Sequence, residues 1–295
     1  MSGELVQTLV DAVSVGGLYA LTALGIGMIF GVMRLINFAH AQLIMAAGYA
    51  VLVFVGQSVI LAIVGALAAA VVLALAIERA AFRPLRSADP AMLLIASFAV
   101  SFFLEKAMIM IVGSRPKGVD FLPGLARQIE FAGVRLQLLQ LVTIAVCLVL
   151  LVATTWFLKS TRLGLEMRAA AENFRMAEVL GIRANRVIAA AFAISAVLAG
   201  TVALLSVAQT GVVQPRMGLQ LVIIAFVGTV IGGLGSLPGS ALGGFLVGAV
   251  TILLQALLPP DLRVFREAFL FIAVAAVLVF RPQGLIPAPG LRERI

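Results

Sequence analysis

Long apolar segments dominate this sequence and restrict the folds that it can adopt. A transmembrane α-helix needs about 20 predominantly apolar residues, and nine segments approach or exceed that length. They lie at 9–31, 38–56, 58–78, 91–112, 136–158, 187–208, 218–234, 240–258 and 267–281. Hydrophobic residues make up 63% of the chain and charged residues 12%, which is far too apolar for a water-soluble domain. The sequence therefore predicts an all-α polytopic membrane protein in which residues 1–295 form a single transmembrane domain.

The number of crossings and the orientation follow from the connections between these segments. The last three segments are short and rich in glycine or proline, so we predict eight or nine transmembrane helices. If all nine cross, most lysines and arginines fall in connections on one side. The positive-inside rule then places the N-terminus outside, and the C-terminus and residues 159–186 in the cytoplasm. The connection 113–135 does not agree with this orientation, because it is basic and must nevertheless face outward.

The segment 159–186, KSTRLGLEMRAAAENFRMAEVLGIRANR, carries nine charged residues among twenty-eight and must lie in water. Between Leu163 and Leu180 its apolar residues recur at helical spacing, which predicts one short amphipathic helix. Gly181 is suited to cap the C-terminal end of that helix. We interpret the segment as a helix that is held between two membrane spans and offered to a partner. The alternative is a solvated connector.

Several classes of protein need residues that this sequence lacks. No G-x-x-x-x-G-K-[ST] loop occurs, so any ATP must be bound and hydrolysed by another chain. One histidine, His40, and one cysteine, Cys147, cannot build a His/Cys metal cluster, and neither H-E-x-x-H nor G-x-S-x-G is present. Basic residues are scattered over the connections, which argues against nucleic acid as a partner. We therefore predict no enzyme activity, no cofactor and no metal.

A polar break interrupts the first apolar block. Gly31 is followed by Arg34, Asn37 and His40 before a new apolar segment begins. At membrane depth such a break is tolerated only where protein or a water-filled cavity surrounds it, and helix ends there can bind charged groups of a solute. We predict that Gly31, Asn37 and His40 line a translocation pathway. The alternative is an ordinary turn, with Asn37 as an N-cap and His40 as a hydrogen-bonded structural residue.

A second break is predicted in the glycine-rich block 228–244. Gly232, Gly233 and Gly235 precede Pro238, and together they would interrupt a helix that faces the first break across the pathway. The small-xxx-small spacing of the same block offers close helix packing as the alternative.

A faint internal echo connects the two blocks. Ala23 and Gly31 recur as Ala225 and Gly233, at a constant offset of 202. Internal repeats are usual in transporter folds, so the echo is a weak sign of a repeat.

Glu105 and Lys106 are charged residues at membrane depth, where ionisable groups are costly and often functional. As neighbours they point in different directions around the helix, which argues against a simple ion pair between them. Our hypothesis is that the Glu105 carboxylate meets the ammonium group of a passing amino acid.

Three blocks of the sequence together resemble LivH-type permeases of branched-chain amino-acid ABC importers. They are GLYALTALGIGMIFGVMRLINFAHAQLIMAAGY (17–49), RAAAENFRMAEVLGI (168–182) and GTVIGGLGSLPGSALGG (228–244). Two positions depart from the usual pattern: Ala41 replaces a glycine and Glu105 a neutral glutamine. Both lie where a pathway could be lined, so the exact substrate stays open.

The resemblance implies a permease subunit in a bacterial inner (plasma) membrane that translocates branched-chain or related amino acids. Its implied partners are a LivM-type permease or a second copy of this chain, two ABC ATPase subunits that bind the ATP, and a periplasmic or extracellular substrate-binding protein. The rival hypothesis is a self-sufficient secondary transporter or channel for small solutes, using Glu105, Lys106 and His40.

The same resemblance assigns the charged segment to the cytoplasmic coupling helix that contacts the ATPases. The residues assigned to coupling are Met167, Arg168, Glu172, Phe174, Arg175, Glu178 and Gly181. Those assigned to the pathway are Gly31, Asn37, His40, Glu105, Gly232, Gly233 and Gly235.

Overall fold

A computed structural model describes residues 2–86, 88–131 and 134–286. Within these ranges the chain forms eleven α-helices and four short strands. The helices are α1 (Ser2–Met33), α2 (His40–Phe54), α3 (Val59–Ile77), α4 (Pro90–Val112), α5 (Leu138–Ser160), α6 (Arg162–Glu172), α7 (Phe174–Val179), α8 (Ala184–Thr210), α9 (Met217–Gly232), α10 (Leu237–Leu257) and α11 (Arg266–Phe280). A π-helical turn, Glu78–Phe82, continues α3, and 3-10 turns lie at Pro123–Ala126 and Pro260–Phe265.

Six helices of the described chain are long and apolar enough to cross a membrane. They cover Leu5–Met33, Val59–Phe82, Pro90–Val112, Leu138–Ser160, Ala184–Thr210 and Leu237–Leu257. The all-α, multi-span prediction is confirmed, whereas the eight or nine full-length spans are not. Helices α2 and α9 have 15 and 16 residues, about 22 to 24 Å at 1.5 Å per residue, which is less than a bilayer core of about 30 Å.

The strands were not predicted, because each is too short to leave a period-two pattern in the sequence. β1 (Lys117–Gly118) pairs antiparallel with β4 (Val212–Val213), and β2 (Gln128–Phe131) pairs antiparallel with β3 (Val134–Gln137). The first pair ties the connection after α4 to the connection after α8. Both connections therefore lie at the same end of the bundle, as the two passes between them, α5 and α8, require.

Helices α1 and α8 form the centre of the bundle and are related by an inverted repeat. Helix α1 packs against α8, α9 and α10, while α8 packs against α1, α2 and α3. Near the end of α8, Gln209 donates to Thr143 of α5 at 3.1 Å. One turn away in α5, Gln140 donates to Asp11 near the start of α1. Helix α8 thus ends where α1 begins, so the units α1–α3 and α8–α10 run in opposite directions.

This packing corrects the register of the internal echo. An offset of 202 would match α1 with α9, because it pairs Ala23 with Ala225. The contacts instead match α1 with α8 and α2 with α9. The echo at offset 202 therefore does not mark this repeat, which is indicated by the symmetry of the helix contacts instead.

Each repeat contains one break, and the two helices that follow the breaks meet inside the protein. Residues 34–39 separate α1 from α2, and residues 211–216 separate α8 from α9. At the start of α9, a Cβ atom built on Gly218 would lie 2.1 Å from the carbonyl oxygen of Ala41 at the start of α2. Only glycine permits this approach of one backbone to the other.

Candidate transport pathway and coupling surface

The first break, residues 34–39, is held by hydrogen bonds inside the chain. Asn37 is buried, and its side-chain oxygen accepts the backbone N–H of Ala39 at 3.0 Å. The Ser97 hydroxyl of α4 accepts the N–H of Phe38 at 3.4 Å, and its single proton lies between the carbonyls of Leu94, at 2.8 Å, and Ile36, at 3.2 Å. Residue 39, not Asn37, precedes the first turn of α2. Asn37 therefore shapes the break as a local turn, and its side chain does not face an open pathway in the isolated chain.

His40 is fully buried and joins three helices. Its Nδ1 lies 3.2 Å from the hydroxyl of Ser195 in α8, and that hydroxyl donates to the carbonyl of Gly25 in α1 at 2.9 Å. Because the serine proton is used on Gly25, the histidine must donate from Nδ1. Its Nε2 has no partner among the described residues. The arrangement matches the structural alternative for His40, that of a hydrogen-bonded core residue.

Glu105 of α4 is 7% exposed and pairs with a cation from residues 211–216, which separate α8 from α9. Its Oε1 lies 3.0 Å from Nε of Arg216 and 3.7 Å from Nζ of Lys106. The prediction that Glu105 and Lys106 would not pair was wrong, because the lysine side chain is long enough to bend back across its own helix. The Glu105 carboxylate is thus already paired with Arg216. This ion pair holds residues 211–216, which precede α9, against α4.

Removing the Arg216 charge should destabilise the protein, since Glu105 would stay buried without its nearest cation. We expect Arg216→Gln to cost about 1–3 kcal/mol and to lower the melting temperature of the purified protein. Adding Glu105→Gln should recover much of that loss, because the uncompensated charge disappears. Lys106→Gln is the matched control and should change stability less, because its Nζ lies 3.7 Å from Glu105 Oε1, too far for a hydrogen bond, whereas Arg216 Nε donates at 3.0 Å. Equal melting temperatures for Arg216→Gln and Lys106→Gln would contradict the pairing.

The glycine block joins α9, α10 and the segment after α11. Gly233 and Gly235 have φ of 114° and 85°, conformations that side chains other than glycine rarely adopt. The N–H of Leu285 donates to the carbonyl of Ile231 at 2.8 Å, and that of Ile286 donates to Gly232 at 2.9 Å. Gly232 and Gly233 therefore serve close packing, the alternative to a pathway role. A Cβ atom on Gly232 would collide with the backbone of Gly239, and one on Gly233 with that of Ile286. The predicted second break is present between α9 and α10, but it is filled by the chain's own residues.

Part of the predicted pathway and part of the predicted coupling segment meet at one cavity. This cavity has a volume of about 380 Å³ and lies where α1 ends. Its lining includes Gly31, Arg34, Arg168, Glu172, Gly235 and Pro238. Gly31 and Gly235 are thus the two predicted pathway residues that line the same cavity as residues of the charged segment 159–186.

The charged segment forms two helices instead of the predicted one. Asn173, with φ −148° and ψ 99°, ends α6 and caps α7, where its side-chain oxygen accepts the N–H of Met176 at 3.1 Å. The predicted cap at Gly181 is confirmed by φ 88° and by bonds from Gly181 to Glu178 and from Ile182 to Ala177, both 3.0 Å. These two bonds constitute a Schellman motif. The sequence signal for the break was Asn173 itself, a residue that favours caps over helix interiors.

The exposed apolar surface of α6–α7 differs from the predicted one. Met167 is 2% exposed and packs in the core, so its side chain cannot anchor a partner; the prediction for this residue was wrong. Phe174 is half-buried beneath the guanidinium of Arg86, 4.8 Å from the ring centre. Val179 and Leu180 are 81% and 75% exposed. We define the coupling surface as Met176, Val179 and Leu180 with the exposed charges around them, namely Arg168, Glu172, Arg175 and Glu178.

Two arginines that sequence reasoning did not assign to the site hold this surface in place. Arg34, at φ 54°, donates from Nη2 to the carbonyl of Ala171 in the last turn of α6 at 3.1 Å. Arg86 binds the Glu178 carboxylate of α7 and donates to Asn185 at the start of α8 at 3.2 Å. The coupling surface is therefore connected to the first break and to α8. In the sequence these arginines were visible only as basic residues of connections.

Comparison with known proteins identifies relatives along almost the whole chain. A sequence model of the family described as "Branched-chain amino acid transport system / permease component" matches residues 8–278. The chain is 34% identical to the high-affinity branched-chain amino acid transport system permease protein BraD of Pseudomonas aeruginosa, with 97% of each chain covered. It is 30% identical to the permease protein LivH of Escherichia coli, again over 97% of each. A probable LivH of Methanocaldococcus jannaschii is 25% identical over 93% of this chain and 90% of that protein.

Proposed function

Because the chain belongs to the family of branched-chain amino acid transport permeases, we propose that it is the membrane subunit of an ABC importer for such amino acids. Family members are permeases, not enzymes, and the helical, multi-span chain agrees with that role. The substrate class is taken from the names of the relatives. The single observation that carries the proposal is the match over 97% of the chain, which includes the coupling surface and both breaks.

In the proposed assembly, the coupling surface docks in a groove of an ATPase subunit. Exposed apolar residues at the tip, Val179 and Leu180, would enter the groove, and the surrounding charges would make salt-sensitive contacts at its rim. ATP-driven closure of the ATPases would displace α6–α7. Arg34 and Arg86 would pass that displacement to the first break and to α8. Two permease subunits, one being this chain and the other a LivM-type relative or a second copy, would enclose the pathway.

The proposed orientation places α6–α7 in the cytoplasm and the opposite end towards a substrate-binding protein, in the inner membrane of a bacterium. The charge asymmetry of the connections supports this orientation. We further propose nine crossings, made by the six long helices together with α2, α9 and the 15-residue α11. Helices α2 and α9 are too short alone, but residues 34–39, most of which the chain covers, and residues 211–216, whose exposed side chains the second permease would cover, would span the remaining depth.

Reconstitution into vesicles tests the proposed function directly. Vesicles that contain this chain alone should show no leucine flux, whereas those that also contain the second permease, the ATPases and the loaded binding protein should take up leucine only with ATP. Flux through the chain alone would support the rival secondary transporter or channel and would overturn the proposal. No finding favours that rival, since Glu105 and His40 are both engaged inside the chain.

A further inference from the structure

A polar cavity lies at the end of the bundle opposite the coupling surface. It has a volume of about 420 Å³, within the range of small-molecule sites. Its walls come from the second to fourth turns of α1, the start of α5, the end of α8, the last turns of α10 and the 3-10 turn Pro260–Phe265. The polar side chains of its lining include Asp11, Ser14, Gln140, Gln209, Gln255 and Arg263.

Two opposite charges line this cavity without neutralising each other. The Asp11 Oδ1 atom accepts from Gln140 and, at 3.4 Å, from Gln7. Its Oδ2 atom has no hydrogen bond, and no cation pairs with the carboxylate, within the described part of the chain. The Arg263 guanidinium donates only to the carbonyl of Leu258, at 3.1 Å, and among the same residues no carboxylate pairs with it. The cavity therefore offers one acceptor group and one donor group of full charge.

Ser14 adds an unused polar group to the same wall. It is 2% exposed and lines the cavity, yet its hydroxyl forms no hydrogen bond with any residue that the structure describes. Other buried hydroxyls of these helices donate to the carbonyl four residues earlier, as Thr22 and Thr143 do at 2.9 and 2.8 Å. Because this hydroxyl lines the cavity, it is free to donate to, or accept from, a molecule that enters there.

We propose that this cavity receives the zwitterionic head group of an α-amino acid. The ammonium group donates to Asp11 and the carboxylate accepts from Arg263, which are the strong, charge-assisted contacts that such a head group requires. The Ser14 hydroxyl bonds the same head group. Val15, Leu139 and Ile252 provide an apolar wall for a branched side chain. This inference rests on the proposed function, because the cavity lies where solute from the binding protein would enter.

Protection of an engineered cysteine tests the site in the assembled complex, without binding protein, in lipid nanodiscs. Ala256 is exposed at the cavity wall, and Leu257 is exposed beside it but does not line the cavity. Each is changed to cysteine in a Cys147→Ala background and labelled with a charged methanethiosulfonate. L-leucine at about ten times its Kd should slow labelling of Ala256→Cys about tenfold. Labelling of Leu257→Cys should not change.

Changing the charges of the ligand and of Asp11 tests which groups the cavity recognises. Leucinamide and 4-methylpentanoate, which each lack one charge of the zwitterion, should protect poorly, and adding Asp11→Asn should abolish protection by L-leucine. Asp261→Asn is the control, because that carboxylate is exposed and does not line the cavity. In uptake assays Asp11→Asn should lower the rate about tenfold.

The outcomes separate the two proposals. Equal protection by all three compounds, or no protection by L-leucine in a complex that transports it, would overturn the site and leave the transport function standing. A complex that assembles with its ATPases and transports no branched-chain amino acid would instead overturn the proposed function.

Discussion

Val179→Asp is expected to abolish ATP-driven uptake while the amount of folded protein stays unchanged. Val179 is 81% exposed at the end of α7, so an aspartate there disturbs nothing within the chain. In a groove of the ATPase the same carboxylate would be buried without a partner. Truncating or charging a central contact of an interface typically costs about 2 kcal/mol or more, a loss of at least about thirtyfold in affinity. Uptake into vesicles and co-purification of the ATPase measure the effect.

The matched control for this variant is Val179→Thr, which keeps the shape of valine and adds no charge. It should retain most uptake and most bound ATPase. If Val179→Asp were to retain normal uptake, the surface formed by Met176, Val179 and Leu180 would not be the site of docking.

Gly218→Ala is expected to prevent correct folding, although it adds a single methyl group. A Cβ at Gly218 would lie 2.1 Å from the Ala41 carbonyl oxygen and 2.9 Å from its carbonyl carbon. Both atoms belong to the backbone of α2, so no flexible side chain can move aside. Overpacking of this kind costs about 1–3 kcal/mol and occasionally more. The α2–α9 crossing is the point where the inverted repeats meet, and the yield of monodisperse protein in detergent should fall sharply.

Gly56→Ala provides the control, because a Cβ at that glycine meets no atom within 4 Å. Its yield and melting temperature should equal those of the native chain. A normal yield for Gly218→Ala would contradict the backbone contact between the two buried helix starts.

The sequence allowed prediction of features that depend on neighbouring residues. Apolar length located the helices, and the concentration of charge located the connection that became α6–α7. Gly181 was assigned as a helix cap, and it forms a Schellman motif with φ 88°. The residue Asn173 could have revealed the division of that segment into two helices, but the regular spacing of apolar residues on both sides of it concealed the break.

Contacts between distant segments could not be predicted. Glu105 and Arg216 are separated by 111 residues, and Arg34 reaches a carbonyl 137 residues away. No local pattern encodes such pairs, so Glu105 was interpreted as free for substrate. Met167 was assigned to the contact with the ATPase for a related reason. Helical spacing shows that apolar residues share a face, whereas only the fold shows that this face packs against α1 and α8.

Photo-crosslinking from Leu180 in native membranes tests most directly whether a separate ATPase binds α6–α7. Leu180 is 75% exposed at the tip of the coupling surface, and a photoreactive amino acid there would lie within contact distance of any docked partner. We predict one dominant cross-linked product, in which mass spectrometry identifies an ABC ATPase subunit. A Leu180 probe that is modified from the outer face of intact cells, or that cross-links only to lipid in an actively transporting complex, would contradict the proposed coupling.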